Sequence, residues 1–179
     1  RHRYKAAEAL LRQELPRIKN PSLGDAVIMD IDEPILQITE AVASLDQSCL
    51  FIQGPPGSGK TWTGAHVIVE LLRRGFRIGI SSNSHKAINN LLVSVERVAG
   101  EKSITFCGAK KSVRDREDSM FKGKMIEDIF SNKEMFDDHW QLVAGTAWLF
   151  SAALLEQAFD YLFVDEAGQV AIANLGAMA

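Results

Sequence analysis

Gly54-Pro55-Pro56-Gly57-Ser58-Gly59-Lys60-Thr61 is the stretch on which the reading of this chain turns. It satisfies the phosphate-loop pattern G-x-x-x-x-G-K-[ST]. An apolar run, Cys49-Leu50-Phe51-Ile52, leads into it, and a helix-like run from Trp62 to Arg74 leads out. The order predicted is therefore strand, loop, helix. Glycines at 54, 57 and 59 let successive backbone N–H groups turn inward where any Cβ would obstruct a phosphate chain. The following helix aims its positive dipole end at the same phosphates. Lys60 supplies a point charge for the β- and γ-phosphates, and the Thr61 hydroxyl is a magnesium ligand. Pro55, Pro56, Ser58 and Trp62 complete the candidate nucleotide-binding set. A Gly/Pro-rich turn between a strand and a helix is the bland alternative, and the correct flanks weigh against it.

The bulk composition narrows the classes. A chain of 179 residues makes one domain with one substantial core. With 46% hydrophobic and 24% charged residues it reads as an ordinary globular α/β protein. A formal charge of −3 argues against a uniformly basic nucleic-acid binder but leaves room for a local groove. Cys49 and Cys107 read as core thiols at strand positions in a reducing compartment, which points to the cytoplasm, with no metal spacing and no disulfide framework. No apolar run approaches the ~20 residues of a membrane span, so no membrane partner is expected. The sequence starts at Arg1 rather than Met and stops just after a motif, at Ala179, and so reads as a piece of something longer.

Along the chain, residues 3–15 have helical periodicity closed by Pro16, and a loop holding Pro21 and Gly24 follows. Residues 1–30 thus form an N-terminal helix and linker ahead of a domain over 31–179. Pro34 suits the first turn of a helix through Ala43. Strands are predicted at 49–53, 77–82, 103–107, 141–144 and 160–164. Helices are predicted at 85–98, with Ser84 as cap, at 147–158 and from Gln169 to Met178. The charged segment 109–139 reads as a polar excursion with one short helix near 122–131. Asn132-Lys133-Glu134-Met135 superficially resembles a GTPase base-recognition motif, but Met135 replaces the needed aspartate, and it reads as a helix-end turn. Strands alternating with helices predict an α/β fold with a parallel sheet covered on both faces and ligands at the strands' carboxyl ends.

The strand Tyr161-Leu162-Phe163-Val164 ends in Asp165-Glu166. Asp165 at the strand tip would hold magnesium through its water shell beside Thr61, and Glu166 could orient and deprotonate an attacking water. In isolation the pair would read as a solvated loop start; downstream of a phosphate loop the functional reading wins.

Asp165-Glu166-Ala167-Gly168-Gln169, taken with the Gly-Pro-Pro-Gly-x-Gly-Lys-Thr loop, resembles the superfamily 1 DNA/RNA helicases. The likeness is strongest to the group containing the nonsense-mediated-decay helicases and the helicase modules joined to RecB-like nucleases. Those proteins are built on two RecA-like domains, and this chain matches the first over roughly residues 35–179. The resemblance implies that Lys60, Glu166 and Gln169 act in ATP hydrolysis with Mg²⁺. It implies that Gln37, seventeen positions before Gly54, reads the adenine edge. Ser82-Asn83-Ser84-His85-Lys86 resembles the family's motif Ia and Thr146 its next strand-end motif, both of which contact the backbone of single-stranded DNA or RNA. A capped helix start would account for Ser84 as well. The implied partners are a single strand, a second RecA-like domain with its arginines, and a nuclease domain fused upstream. Without those arginines, residues 1–179 alone are expected to bind Mg·ATP and turn it over poorly.

Other readings are a different P-loop enzyme, such as a kinase or GTPase, and a non-hydrolysing or regulatory nucleotide-binding module. Gln37 and the Asp-Glu-Ala-Gly-Gln strand end discriminate against the first. Intact Lys60, Thr61, Asp165 and Glu166 argue against the second.

Overall fold

Ile78-Gly79-Ile80-Ser81 and Leu142-Val143-Ala144-Gly145 carry no charge, and runs of this kind are stable as strands when both faces are covered. In the computed structural model, which describes residues 4–19, 33–135, 137–152, 155 and 157–178, both runs are buried along their whole length. They form β1 (Ile78–Ser81) and β4 (Leu142–Gly145), at the centre of a five-stranded sheet with β2 (Gly108–Lys111), β3 (Ile126–Ile129) and β5 (Tyr161–Val164). The spatial order is β3-β2-β4-β1-β5 and every pairing is parallel. Ile78 stands opposite Leu142 on one side and Tyr161 on the other. This is the α/β arrangement expected from the sequence, a RecA-like P-loop fold.

The alternation of side chains along each strand divides the core in two. Ile78, Ile80, Leu142 and Ala144 face one cluster, filled from α3 (Lys60–Arg73) and α4 (His85–Glu101). The apolar positions of α4, Ile88, Leu91, Leu92, Val95 and Val98, recur at helical spacing and are all buried. Val143 and Ala109 face the second cluster, with Trp140, Leu149 and Phe150 from the segments flanking β4, including α6 (Ala147–Phe150). Gly79 lies where this face is tightest. A Cβ there would stand 2.9 Å from both Leu162 Cδ1 and Phe150 Cε1.

Helix α2 (Pro34–Ala43) packs against α3, where Arg74 ties Glu40 to Glu70. At the N-terminus, α1 (Lys5–Leu11) rests against α7 (Ile172–Met178). Residues 17–19 are laced to 44–48 by backbone bonds and by the Arg17 guanidinium on the Gln47 carbonyl at 2.6 Å. The remaining short helix is α5 (Asn132–Met135), where the sequence suggested a helix-end turn.

Five expectations are corrected. Residues 49–53 form no strand. Only Leu50 of that run packs on the core, Phe51 and Ile52 are exposed, and Pro55 and Pro56 offer no N–H to a ladder. The third strand lies at 108–111 instead of 103–107, because the Cys107 carbonyl accepts from Gln141 N at 2.9 Å and so fixes the start of pairing one residue later. Cys107 is consequently exposed and Cys49 only half-buried, so neither is a core thiol. Residues 126–129 form β3 where a helix near 122–131 was expected. The Glu96 carboxylate takes the N–H groups of Lys124, Met125 and Ile126, and the β2 edge supplies a ladder that overrides local preference. Finally, the helix expected over 147–158 is confined to 147–150 among the described residues. Part of the expected 1–30 linker, and the loop holding Pro21 and Gly24, lie outside the described residues.

The connections reverse between two neighbouring strands. The chain leaves β1 through α4 toward β2, and leaves β4 through α6 toward β5. A crevice therefore opens at the carboxyl ends of β1 and β4, where open α/β sheets bind ligands.

Candidate nucleotide and nucleic-acid sites

The phosphate loop turns as its glycines require. Gly57 and Gly59 have φ of +80° and +84°, with open space where a Cβ would stand. Gly54 is closed in instead, since a Cβ there would meet Ser58 Oγ at 2.5 Å. Gly59 caps α3, and the first backbone bond of that helix runs from Thr63 N to Gly59 O at 2.8 Å. The N–H groups of Lys60, Thr61 and Trp62 therefore have no intrahelical acceptor, and the helix is fourteen residues long behind them. The Lys60 ammonium folds back onto the loop, donating to Gly54 O at 2.7 Å and Pro55 O at 2.9 Å. That donor set, with a cation held among small residues at a helix N-terminus, fits an oligophosphate. Trp62 is exposed and stacks obliquely on His66, their ring centres 4.0 Å apart. Gln37 sits half-buried on α2, the helix packed against α3.

Asp165 follows β5 directly, and its N–H donates to Ser81 O at 2.9 Å, continuing the β1–β5 ladder by one residue. Its Oδ1 accepts from Glu166 N at 3.0 Å. Glu166 is exposed and left-handed, with φ of 52°, a conformation unfavourable for any residue with a Cβ. The chain then turns through a short 3₁₀ segment at Ala167–Gln169. No cluster of three or more metal-ligating His, Cys, Asp or Glu side chains occurs among the described residues. A magnesium ion at Thr61 and Asp165 would be completed by phosphate and water oxygens, which suits that ion's preference for few protein ligands.

The second set of residues comes together at the crevice. Asn83, Ser84, His85, Lys86 and Thr146 line one cleft of about 450 Å³. Ser84 opens the seventeen-residue α4, accepting from Ala87 N at 3.1 Å, and Thr146 precedes α6. Of the six positions expected there, Ser82 is the one whose side chain stays out, being 1% exposed beneath the cleft-lining run. Asn83 Nδ2 donates to the Gln169 carbonyl, joining the cleft to the segment after Asp165 and Glu166.

Two cleft residues carried no role in the sequence reading: Arg116 and Asp118, from the charged segment between β2 and β3. Nor did it assign one to Lys110, whose side chain on β2 is fully buried below them. The Lys110 ammonium donates to the Ser119 carbonyl and to Ser112 Oγ at 3.1 Å, and lies 3.4 Å from His85 Nδ1. Burial pulls Lys110 down to about 8, against the opposing pull of the Asp128 and Asp118 carboxylates. Burial also lowers His85, with the Lys110 and Arg116 charges acting in the same direction, so the imidazole favours its neutral form. A lysine in a strand carries no local signal that its charge will be enclosed, and only the pairing of β2 with β3 and β4 places it inside.

No protein-family model matches the chain. Individual relatives do. DNA replication ATP-dependent helicase/nuclease dna2 of Schizosaccharomyces pombe is 23% identical over 172 residues, covering 92% of this chain and 12% of that protein. The helicase/nuclease JHS1 of Arabidopsis thaliana is 32% identical over 129 residues, covering 68% of this chain and 9% of that protein. The chain is a relative of the replication helicase/nucleases. A third relative, DNA2 of Gallus gallus, is 23% identical over 166 residues, 88% of this chain and 16% of its own length. The resemblance to superfamily 1 helicase modules joined to nucleases is thus borne out. The chain spans a sixth or less of these relatives' length, in keeping with a partial motor domain.

Proposed function

We propose that this chain is the first motor domain of an ATP-driven translocase that moves along single-stranded DNA. The observation that supports the reading is that Asp165, the run Asn83–Lys86 and Thr146 follow the carboxyl ends of three adjacent strands, β5, β1 and β4. Asp165 is bonded to Ser81, and the cleft begins two residues later at Asn83. In this reading residues 54–62 hold the triphosphate, Gln37 selects adenine, and Lys60 moves from the loop carbonyls onto the phosphates. Magnesium, when held by Thr61 and Asp165, supplies charge neutralisation at the phosphate oxygens. Glu166 accepts the proton of the attacking water and Gln169 acts beside it in hydrolysis. Asn83–Lys86 and Thr146 hold the strand by phosphate and sugar, without reading bases. DNA is favoured over RNA because the relatives are DNA replication proteins by name. A second RecA-like domain supplies the arginines that complete the transition-state charge.

The test is ATP hydrolysis by the full-length protein with and without an oligothymidylate. Hydrolysis should rise with the single strand. Lys60→Ala should abolish it and weaken ATP binding, and Gln37→Ala should erase any preference of ATP over GTP. Binding of ATP unaffected by Lys60→Ala would refute the nucleotide site, and hydrolysis indifferent to the single strand would refute the motor.

A further inference from the structure

The segment between β2 and β3 is mostly polar and charged, with only Phe121 and Met125, near its far end, packed on the core. It is pegged from beneath nonetheless. Lys110 holds Ser112 and the Ser119 carbonyl, and Ser112 Oγ in turn donates to the Asp128 carboxylate. Ser119 Oγ accepts from Val113 N at 2.9 Å and donates to Arg116 O at 2.7 Å, closing a small ring around Arg116. Asn89 of α4 donates to Met120 O at 2.9 Å, and Asp128 takes the N–H groups of Phe121 and Lys122 at 3.0 and 2.8 Å. A buried ammonium is tolerated only where its donors find acceptors, and here those acceptors belong to the loop itself. The outcome is a rigid turn at Glu117–Ser119 that places Arg116 and Asp118 in the wall of the cleft.

There the Arg116 guanidinium forks onto Asp118, with Nε to Oδ1 at 3.3 Å and Nη2 to Oδ2 at 2.9 Å. Both side chains are more than half exposed, so the pair contributes little to stability. The same two donors match two oxygens of a phosphate as well as they match a carboxylate. We propose that Arg116 is a phosphate contact of the single-strand cleft, with Asp118 holding its guanidinium in place until a DNA phosphate displaces the carboxylate. This rests on the reading of the cleft as a nucleic-acid site. With His85 neutral, Arg116 and Lys86 are the cations of that wall, and the β2–β3 loop becomes part of the motor's track.

The experiment measures binding of a fluorescein-labelled oligothymidylate to the full-length protein by anisotropy across a range of KCl concentrations. Arg116→Ala should weaken binding about tenfold and reduce the salt slope by about 0.7, the value of one phosphate contact on a single strand. Asp118→Asn should tighten binding, and should do nothing further once Arg116 is alanine. Lys86→Ala separates the two levels of argument. If it weakens binding while Arg116→Ala leaves affinity and slope unchanged, the cleft reading stands and this inference falls. If neither variant has an effect, both fall. Tightening by Asp118→Asn that persists in the Arg116→Ala background overturns the restraining role of Asp118. Unchanged melting of each variant excludes misfolding as the cause, since both side chains are solvent-facing.

Discussion

Replacing Lys110 with methionine should change how the stability of the chain depends on pH. The lysine is fully buried, and its ammonium titrates near 8 against an ordinary 10.5 because burial disfavours the charge. The sign follows from which state holds the proton. Below about pH 8 the lysine is charged in both folded and unfolded chains, and the folded state alone bears the burial of that charge. Between about 8 and 10.5 the unfolded chain still binds the proton while the folded chain has released it. Stability contributed by this residue therefore rises with pH across that window, opposite in direction to a lysine held by a carboxylate. A tenfold change in proton affinity is worth about 1.4 kcal/mol, so the full difference is at most about 3.5 kcal/mol. Methionine keeps the unbranched stem and removes the titration. Urea unfolding of parent and Lys110→Met at several pH values between 7 and 10 isolates the term as a difference of differences. Other lysines and tyrosines titrate in both proteins and cancel. The parent should gain on the variant as pH rises. A difference in unfolding free energy that stays flat from pH 7 to 10 would refute the reasoning, and one that shrinks would reverse it.

Gly79→Ala should lower stability by roughly 1–3 kcal/mol, seen as a fall in melting temperature, because its Cβ would press on Leu162 and Phe150 at 2.9 Å in the tightest part of the core. Glu166→Gln should leave the melting temperature nearly unchanged, within about 0.5 kcal/mol, since the side chain is exposed. In the full-length protein it should retain ATP binding while hydrolysis is lost, and retained hydrolysis would remove Glu166 from its role.

The parts of this fold that were legible in the sequence are those whose signal is local. The phosphate loop needs glycines at fixed offsets, and Gly57 and Gly59 duly adopt positive φ. Helix α4 carries its apolar stripe and its Ser84 cap within one continuous stretch. The run Asn83–Lys86 and Thr146 could be picked out because each follows a strand end, and the topology brings them to one cleft. What stayed hidden was set by partners distant in sequence. Residues 126–129 have no strand signal of their own strength. They are extended because Glu96, thirty residues earlier along α4, receives the Ile126 N–H, and because β2 lies alongside. Cys49-Leu50-Phe51-Ile52 shows the converse, a strand-like composition that finds no ladder here. Arg116 and Asp118 were visible as charges, but a charge run reads as solvated surface until something fixes its backbone. Lys110 does the fixing, and its enclosure is a property of the sheet.

The placement of the two candidate sites also bears on how hydrolysis could drive movement. β1 is the shared element: Ser81, its last residue, accepts the N–H of Asp165, and Asn83, two residues on, lines the cleft. Asn83 then reaches back to the Gln169 carbonyl, so the segment that follows Asp165 is bonded to the wall of the cleft. A shift of residues 166–169 on loss of the γ-phosphate would have to break or drag that bond, because Asn83 sits at the mouth of a helix whose buried stripe anchors it to the sheet. Glu166, between the strand and the 3₁₀ turn, holds a left-handed backbone that a residue with a Cβ adopts at a cost, which suits it as a pivot. If the two candidate sites hold nucleotide and DNA as proposed, coupling between them needs no long path. It needs only that one amide follow one carbonyl, which makes Asn83 the position where binding at the two sites should separate from their communication.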